Sequence, residues 1–356
     1  MALVPVASEG PLGGLSPLGP PALAHPPLSF RVLPAVASVV PGLLFHGLGP
    51  LAAGDTRTAG RLFAMEGTGV GLLLVGGAPI ALTGASRRVI GPLYTVALAG
   101  ASLFSVSAMA NIYSTVAPAF TPGVAAPRLP PLELDFGYQH VSDPNFDYSH
   151  FLALGATARL NLIRLEGTTR LSPDDGNMRL RLGGAYRVLG EPEGARGGAD
   201  GTALDVEVGG VYHRFPTEGF LMTSAELGLR GRYAMARVSP RLEGSFAEVG
   251  MGLALQGYRY FGPVAEDALH EQLLFTFGYG VYLGRSGPLR GEALLYYNHR
   301  KDDYAGGLKA GAGVPGHFGL RGRVLLSERW GVSADVQAGS AYVARLSAVY
   351  TLGGEP

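Results

Sequence analysis

The stretch MRLRLGGAYRV at 178–188 decides the fold class. Met178, Leu180, Leu182, Gly184, Tyr186 and Val188 fall on one side of an extended chain, and Arg179, Arg181, Gly183, Ala185 and Arg187 on the other. Side chains alternate across a strand, so the run presents one apolar and one charged face. The pattern recurs over 202–213, where Leu204, Val206, Val208 and Tyr212 oppose Asp205, Glu207 and His213. Over 225–233, Leu227, Leu229 and Tyr233 oppose Glu226, Arg230 and Arg232. Over 330–338, Trp330, Val332, Ala334 and Val336 oppose Ser333, Asp335 and Gln337.

A half-buried soluble sheet alternates too, so other features must separate the two cases. The segments between Leu132 and Leu352 run about 10–15 residues, against about 5–6 for an ordinary strand and about 9–11 for a tilted strand crossing a bilayer. Aromatics gather near segment ends: Tyr186, Tyr212, Tyr233, Tyr258, Tyr260, Tyr282, Tyr296, Tyr297, Trp330, Tyr342 and Tyr350. That placement suits the two interfacial girdles of a membrane barrel. The polar faces mix Arg with Asp and Glu, while the apolar faces carry almost no charge. Hydrocarbon offers no partner to an open sheet edge, so such a sheet must close. The expected lumen lining is Arg179, Arg181, Arg187, Asp205, Glu207, Glu226, Arg230, Arg232, Arg321, Arg323, Asp335 and Arg345, with signs paired between neighbouring strands. Arginine suits such pairs because its planar fork grips a carboxylate at two points.

Thirteen segments qualify as strands: 132–142, 150–161, 162–172, 177–190, 202–215, 219–233, 235–246, 247–261, 270–284, 288–300, 316–327, 329–340 and 341–352. Bacterial single-chain barrels take even numbers. Reading 150–172 as one long strand gives twelve, with fourteen as the alternative. The longer connections 143–149, 190–202, 261–270 and 300–316 are then expected at one end.

Composition narrows the function classes. Charged residues are 16% of the 356, and Lys+Arg and Asp+Glu are both 28, so no net field recruits nucleic acid. With Cys at 0, disulfide frameworks, thiolate zinc sites and cysteine nucleophiles are all excluded. Gly at 55 and Pro at 26 serve turns and close packing, since no collagen repeat is present. Lys301 and Lys309 are the only lysines, a bias of base composition rather than of function.

Upstream of the barrel (131–356) the chain divides into three. Residues 1–33 form a Pro/Gly-rich extension without periodicity. Its first Arg is Arg31, so either a signal lies outside this numbering or the segment is a flexible extension. Residues 34–118 form an apolar helical region, with Asp55 and Ser86 at N-cap positions and Arg87 and Arg88 at a hairpin tip. No charge falls between Glu66 and Arg87 or between Arg88 and Arg128, and each interval is long enough to span a bilayer at about 20 residues per crossing. Pro79 and Pro92 interrupt these runs, and small residues dilute them. The helices are expected to dock on the barrel through small-residue faces, at its mouth, in its lumen or outside. Residues 119–130, with Pro122, Pro127 and Pro130, form the linker.

Residues 132–352 resemble Gram-negative outer-membrane β-barrel proteins, in pattern rather than in any one motif. The final run, Tyr342-Val-Ala-Arg-Leu-Ser-Ala-Val-Tyr-Thr-Leu352, is similar to the C-terminal strand that the barrel-insertion machinery reads. It departs from that pattern in ending on Leu352 rather than Phe, with Gly353, Gly354, Glu355 and Pro356 following. The resemblance implies a mainly β, antiparallel transmembrane barrel in the outer membrane, preceded by the helical region. Membrane lipid and the insertion machinery are the implied partners, with room for a protein partner on the helices. The implied function is non-enzymatic, as a narrow passive pore or a structural scaffold.

Chemical motifs are sparse. No GxxxxGK[ST] phosphate loop and no GxSxG nucleophile elbow occur. Gly67, Gly69 and Gly71 form a loose GxGxG in an apolar helical context, where helix packing is the better reading. His270-Glu271 lacks the second His of a zincin helix. His140 and Ser142 in YQHVSD have an HxS spacing similar to that of outer-membrane lipid A deacylases, whose His and Ser act as base and nucleophile. The family continues with Asn, where this chain has Asp143. A lipid-modifying hydrolase is therefore the enzymatic alternative, against a polar strand end facing water. In YYNHRKDDY (296–304), Tyr297, His299, Asp302 and Asp303 are loop binding candidates for a sugar, a lipid headgroup or a divalent cation, with Asp143 and Asp147 as further oxygens. The plainer reading is an aromatic girdle passing into a solvated loop. No cofactor or metal is expected.

Overall fold

A computed structural model describes residues 31–84, 86–120, 129–144, 149–193, 200–217, 219–259, 269–284, 289–306 and 316–353. The period-two region forms twelve antiparallel strands: β1 Leu132–Ser142, β2 His150–Leu160, β3 Ile163–Leu171, β4 Met178–Leu189, β5 Ala203–Arg214, β6 Leu221–Ala234, β7 Ser245–Arg259, β8 Leu269–Leu283, β9 Arg290–Asn298, β10 His317–Leu325, β11 Trp330–Ala338 and β12 Tyr342–Leu352. Each pairs with its sequence neighbours, and β1 pairs with β12 from Leu132↔Leu352 to Ser142↔Tyr342, closing the barrel.

The expected count of twelve is present, but two segments depart from expectation. Residues 150–172 are two strands, reversed at Asn161, whose φ of 55° is the left-handed conformation that a tight hairpin requires. Residues 235–246 are not a strand. They hold two 3-10 turns, Met235–Arg237 and Pro240–Leu242, because Pro240 cannot donate to a ladder and Met235 and Leu242 bury beneath a helix instead of alternating. The expected gathering of long connections is also incorrect. Those after β1, β7 and β9 share one end, called here the loop end, but 190–202 joins β4 to β5 at the opposite, terminal end.

The register fixes which face each strand turns outward. Phe136, Leu182, Val208, Leu227, Leu253, Leu320 and Leu346 point out and are each more than half exposed. An aliphatic surface this continuous is foreign to a soluble monomer and normal for a membrane-spanning barrel. Tyr186, Tyr233, Trp330 and Tyr350 ring the terminal end, with Trp330 packed on Tyr350 at 4.7 Å. Tyr212, Phe318 and Tyr342 ring the loop end. Three expected girdle residues, Tyr258, Tyr282 and Tyr296, fall on inward register positions instead, and Tyr260 lies outside the described residues.

Four helices precede the barrel: α1 Val32–Val39, α2 Leu48–Ala52, α3 Thr56–Thr83 and α4 Arg87–Phe120. Asp55 caps α3, accepting from Thr58 N at 2.9 Å. α3 and α4 form a hairpin packed on the outside of the barrel. Tyr94 and Leu98 of α4 cover the outward Phe275, Phe277 and Tyr297, while Val106, Ala110 and Tyr113 pack with Tyr279, Met235 and Leu242. The small residues have a different role from the one expected. Gly69 lies against Gly100 and Phe104, and Gly76 against Leu93 and Ala97, so they join helix to helix while aromatic and aliphatic side chains join helix to barrel.

Candidate functional site

Because the inward positions alternate with lipid-facing ones, the charge of each strand must be satisfied inside the barrel. All twelve residues expected at the lumen occupy inward register positions. So do Glu133, Asp135, Arg159, Arg164, Glu166, Arg170, Glu248 and Glu292, which lie outside the expected set. The strands thus bring more arginine than carboxylate to the lumen. Two inturned connections return Glu193, Asp302 and Asp303.

The pairs form three tiers. At the terminal end Glu193 accepts from Arg159 Nε at 2.7 Å, from Arg187 Nη2 at 3.1 Å and from Arg164. Burial raises the Glu193 carboxyl, but Arg164, Arg159 and Arg187 outweigh it and hold the group down at about 2. Arg187 also grips Asp205 at 2.8 and 3.1 Å, and Glu133 joins Arg159 to Arg323. In the middle a ladder of alternating sign crosses five strands: Glu166 to Arg164 at 2.6 Å, Arg164 to Glu207 at 3.1 Å, Glu207 to Arg230 and Arg230 to Glu248 at 2.8 Å, Glu248 to Arg232 at 3.0 Å, Arg232 to Glu292 at 2.8 Å. Arg232 also lies 4.1 Å over the Phe246 ring, a cation–π contact.

At the loop end the segment 299–306, after β9, turns into the lumen. Arg300 donates to Glu226 through both Nη atoms, at 2.6 and 2.8 Å. Asp302 accepts from Arg179 at 2.9 Å and Arg300 at 3.2 Å, and Asp303 from Arg170 at 3.0 Å. Burial opposes ionisation of both aspartates, yet Arg300 and Arg179 hold Asp302 below its usual range, and Arg170 and Arg179 hold Asp303 well below. On the facing wall Asp335 accepts from Tyr296 Oη at 2.8 Å and pairs with Arg321 at 3.6 Å and Arg345 at 3.9 Å.

Between these tiers lies a cavity of about 150 Å³. Arg164, Glu166, Arg181, Glu207, Arg230 and Arg300 line it, and on the β4–β7 side Gly183, Gly209, Gly228, Gly250 and Gly252 leave the wall bare. Arg181 and Glu166 keep 45% and 49% of their side chains exposed, so water reaches charged groups inside the barrel.

The other candidates separate. Tyr297 and His299 belong to the outer wall, where Tyr297 Oη and His299 Nδ1 are 3.0 Å apart and the His299 ring is 5.1 Å from Tyr94. Burial depresses His299 to about 4. Asp302 and Asp303 face the lumen, so the four do not form one binding site. Asp147 lies outside the described residues, and among the described residues no cluster of His, Cys, Asp and Glu could hold a metal ion. His140 and Ser142 are exposed on the outward face of β1 at the loop end. The His140 ring is 5.5 Å from that of His150, and no hydrogen bond joins His140 to Ser142 among the described residues.

No known protein family matches the chain. No curated protein matches it either. Among solved structures it is similar to the KdgM porin, at 11% identity and a TM-score of 0.35 over 62% of this chain and 99% of that one. It is similar to the translocator domain of autotransporter NalP from Neisseria meningitidis, at 13% identity and a TM-score of 0.38 over 70% and 98% of the two chains. The outer membrane protein Omp33 of Acinetobacter baumannii follows at 9% identity and a TM-score of 0.31 over 63% and 98%. Likenesses this distant add no functional argument to the residues themselves.

Proposed function

We propose that the chain is a non-enzymatic β-barrel of the outer membrane, working as a narrow passive pore for small polar solutes. The observation that carries this is the wet, charged cavity inside a closed barrel with an aliphatic exterior. A pure scaffold has no need of partly exposed Arg181 and Glu166 beside a bare glycine wall. The terminal end, where β1 begins and β12 ends, is periplasmic on this reading, and the connections after β1, β7 and β9 face outward from the cell. The lumen tiers make the passage narrow, because salt-bridged side chains and the inturned 299–306 segment fill much of its section. Membrane lipid covers the exterior, and the run Tyr342–Leu352 serves as the strand read at insertion. The division into an extension at 1–33, helices at 34–118, a linker at 119–130 and a barrel from 131 is part of the same reading.

The test is single-channel recording from purified, folded full-length protein in planar bilayers. Discrete steps of small conductance are expected. Silence from protein that runs faster unheated than boiled in detergent gels would reject the pore and leave the scaffold. The hydrolase alternative has its own check, since lipid-hydrolysing activity abolished by Ser142→Ala would revive it.

A further inference from the structure

The α3–α4 hairpin has no place in the pore reading, and its position on the barrel is informative. On α4, Tyr94 meets His299 and Tyr297 at the loop end. Tyr113 donates to Glu243 O at 2.7 Å at the terminal end. These two tyrosines are nineteen residues apart, about 28 Å of helix at 1.5 Å per residue. The hydrocarbon core of a bilayer is about 30 Å thick. The helix therefore follows the barrel wall across the whole apolar belt. Its partner behaves likewise: Thr58 Oγ1 and Ser239 Oγ are 2.6 Å apart at the terminal end, and α3 then climbs beside α4 to the turn at Gly84.

Charge along α3 is confined to its first eleven residues, Thr56 to Glu66. Arg61 donates to Val238 O, and Glu66 accepts from His46 N at 2.8 Å, both below the uncharged run 67–86. Charge returns only at the tip. The hairpin's far face exposes Val70, Leu74, Val75 and Leu82, the last two at 63% and 84%, level with the barrel's exposed leucines. The exposed hydroxyls of Thr68 and Thr83 donate back to Ala64 O and Pro79 O, at 2.8 and 2.7 Å, so they leave no donor for hydrocarbon to strand.

We infer that the hairpin is itself membrane-spanning: α3 and α4 cross the same bilayer as the barrel, seated against β8, with lipid acyl chains covering their outer face. This rests on the membrane reading of the barrel. The chain rises along α3 from the terminal side to Gly84 on the loop side, and descends along α4 to the side where β1 begins. The outward aromatics Phe275, Phe277 and Tyr279 are then a helix-binding strip cut into the lipid-facing surface.

The native chain contains no cysteine, so single cysteines can report alone. Leu74→Cys, with Val75→Cys as a second variant should the first fail to fold, Leu227→Cys on the barrel and Ser86→Cys at the tip would each carry a nitroxide in full-length protein in liposomes. Leu74 and Leu227 are expected to relax with oxygen and lose all response to a water-soluble nickel chelate, and Ser86 to do the reverse. Nickel access at Leu74 with Leu227 still shielded would overturn the inference and leave the barrel reading intact. Nickel access at both would overturn the membrane reading itself. Shielding of Leu74 from both reagents would overturn the inference in favour of a protein cover.

Discussion

Replacing Glu226 by Gln should release the inturned segment 299–306 from the wall and widen the pore. Among the described residues Glu226 is the one wall carboxylate that grips Arg300 at two points, with side chains 5% and 8% exposed. Removing one partner of a buried ion pair costs roughly 3–5 kcal/mol where the other charge is left uncompensated, and here Asp302, 3.2 Å from Arg300, still answers part of that charge. The cavity beside the pair is wet, so the lower figure applies. About 3 kcal/mol is a little over two decades in the ratio of released to seated segment. Arg181, which also reaches Glu226, is 45% exposed and adds little. In single-channel records the variant should show a state of higher conductance with occupancy raised by about two decades over the native protein. Asp302→Asn weakens the same seat from the other side and should open the same state. Refutation is simple to recognise: both variants retain the heat-shifted gel mobility of the folded barrel, yet their conductance histograms overlay that of the native protein.

Three further predictions concern the acid response of the same segment and the helices beside the barrel. Asp302 and Asp303 titrate below the ordinary carboxyl value of 3.8, so their hold on the segment is full above that value and is lost as pH falls through their lowered ones; conductance should be steady through neutral and mildly acid solution and rise only in strong acid. Asn111 is fully buried, accepts from Gly47 N and Gly49 N, and donates to Ser38 O and Gly42 O; Asn111→Ala should cost roughly 1–3 kcal/mol per stranded group and speed hydrogen exchange at the Gly47 and Gly49 amides. A Cβ at Gly67, Gly71 or Gly77 meets nothing within 4 Å, so changing all three to Leu should leave the hairpin packed but retain the protein in the inner membrane, as read by cell fractionation.

Much of the barrel was legible because a strand's two faces meet two different solvents, and period two records that directly. The inward arginines and carboxylates of β4, β5 and β6 follow from parity alone. Parity applied to IRLEGTTRL would equally have found Arg164, Glu166 and Arg170. Glu193 and Arg300 carry no such signal, because they reach the lumen from connections whose path depends on the tertiary fold. The same limit explains the split of YYNHRKDDY. Its Tyr297 ends an outward strand position while Asp302 and Asp303 answer arginines on β3 and β4, far away in sequence. Strand boundaries failed where turn chemistry competed with alternation. At 150–172 apolar residues continued through Asn161, and at 235–246 a buried turn imitated a short strand.

The glycines of α3 reconcile two demands that otherwise exclude each other. A helix that is to lie in a bilayer against a barrel must be apolar along its length, but a strongly apolar helix is held at the inner membrane and never reaches the outer one. Glycine makes the transfer of a segment into lipid less favourable without adding a polar side chain that lipid would have to accommodate. It also lets two backbones approach closely, so packing between the helices compensates for what burial in lipid no longer supplies. Gly69 and Gly76 serve the second need, since a Cβ there would sit 2.8 Å from Phe104 N and 2.4 Å from Ala97 N. Gly67, Gly71 and Gly77 touch no neighbour and so serve only the first. A hairpin built only for packing would keep the first pair and fill the other three positions with leucine. That both sets are present fits a segment that must stay weakly apolar in transit and gain its place in the membrane from the barrel wall it docks on.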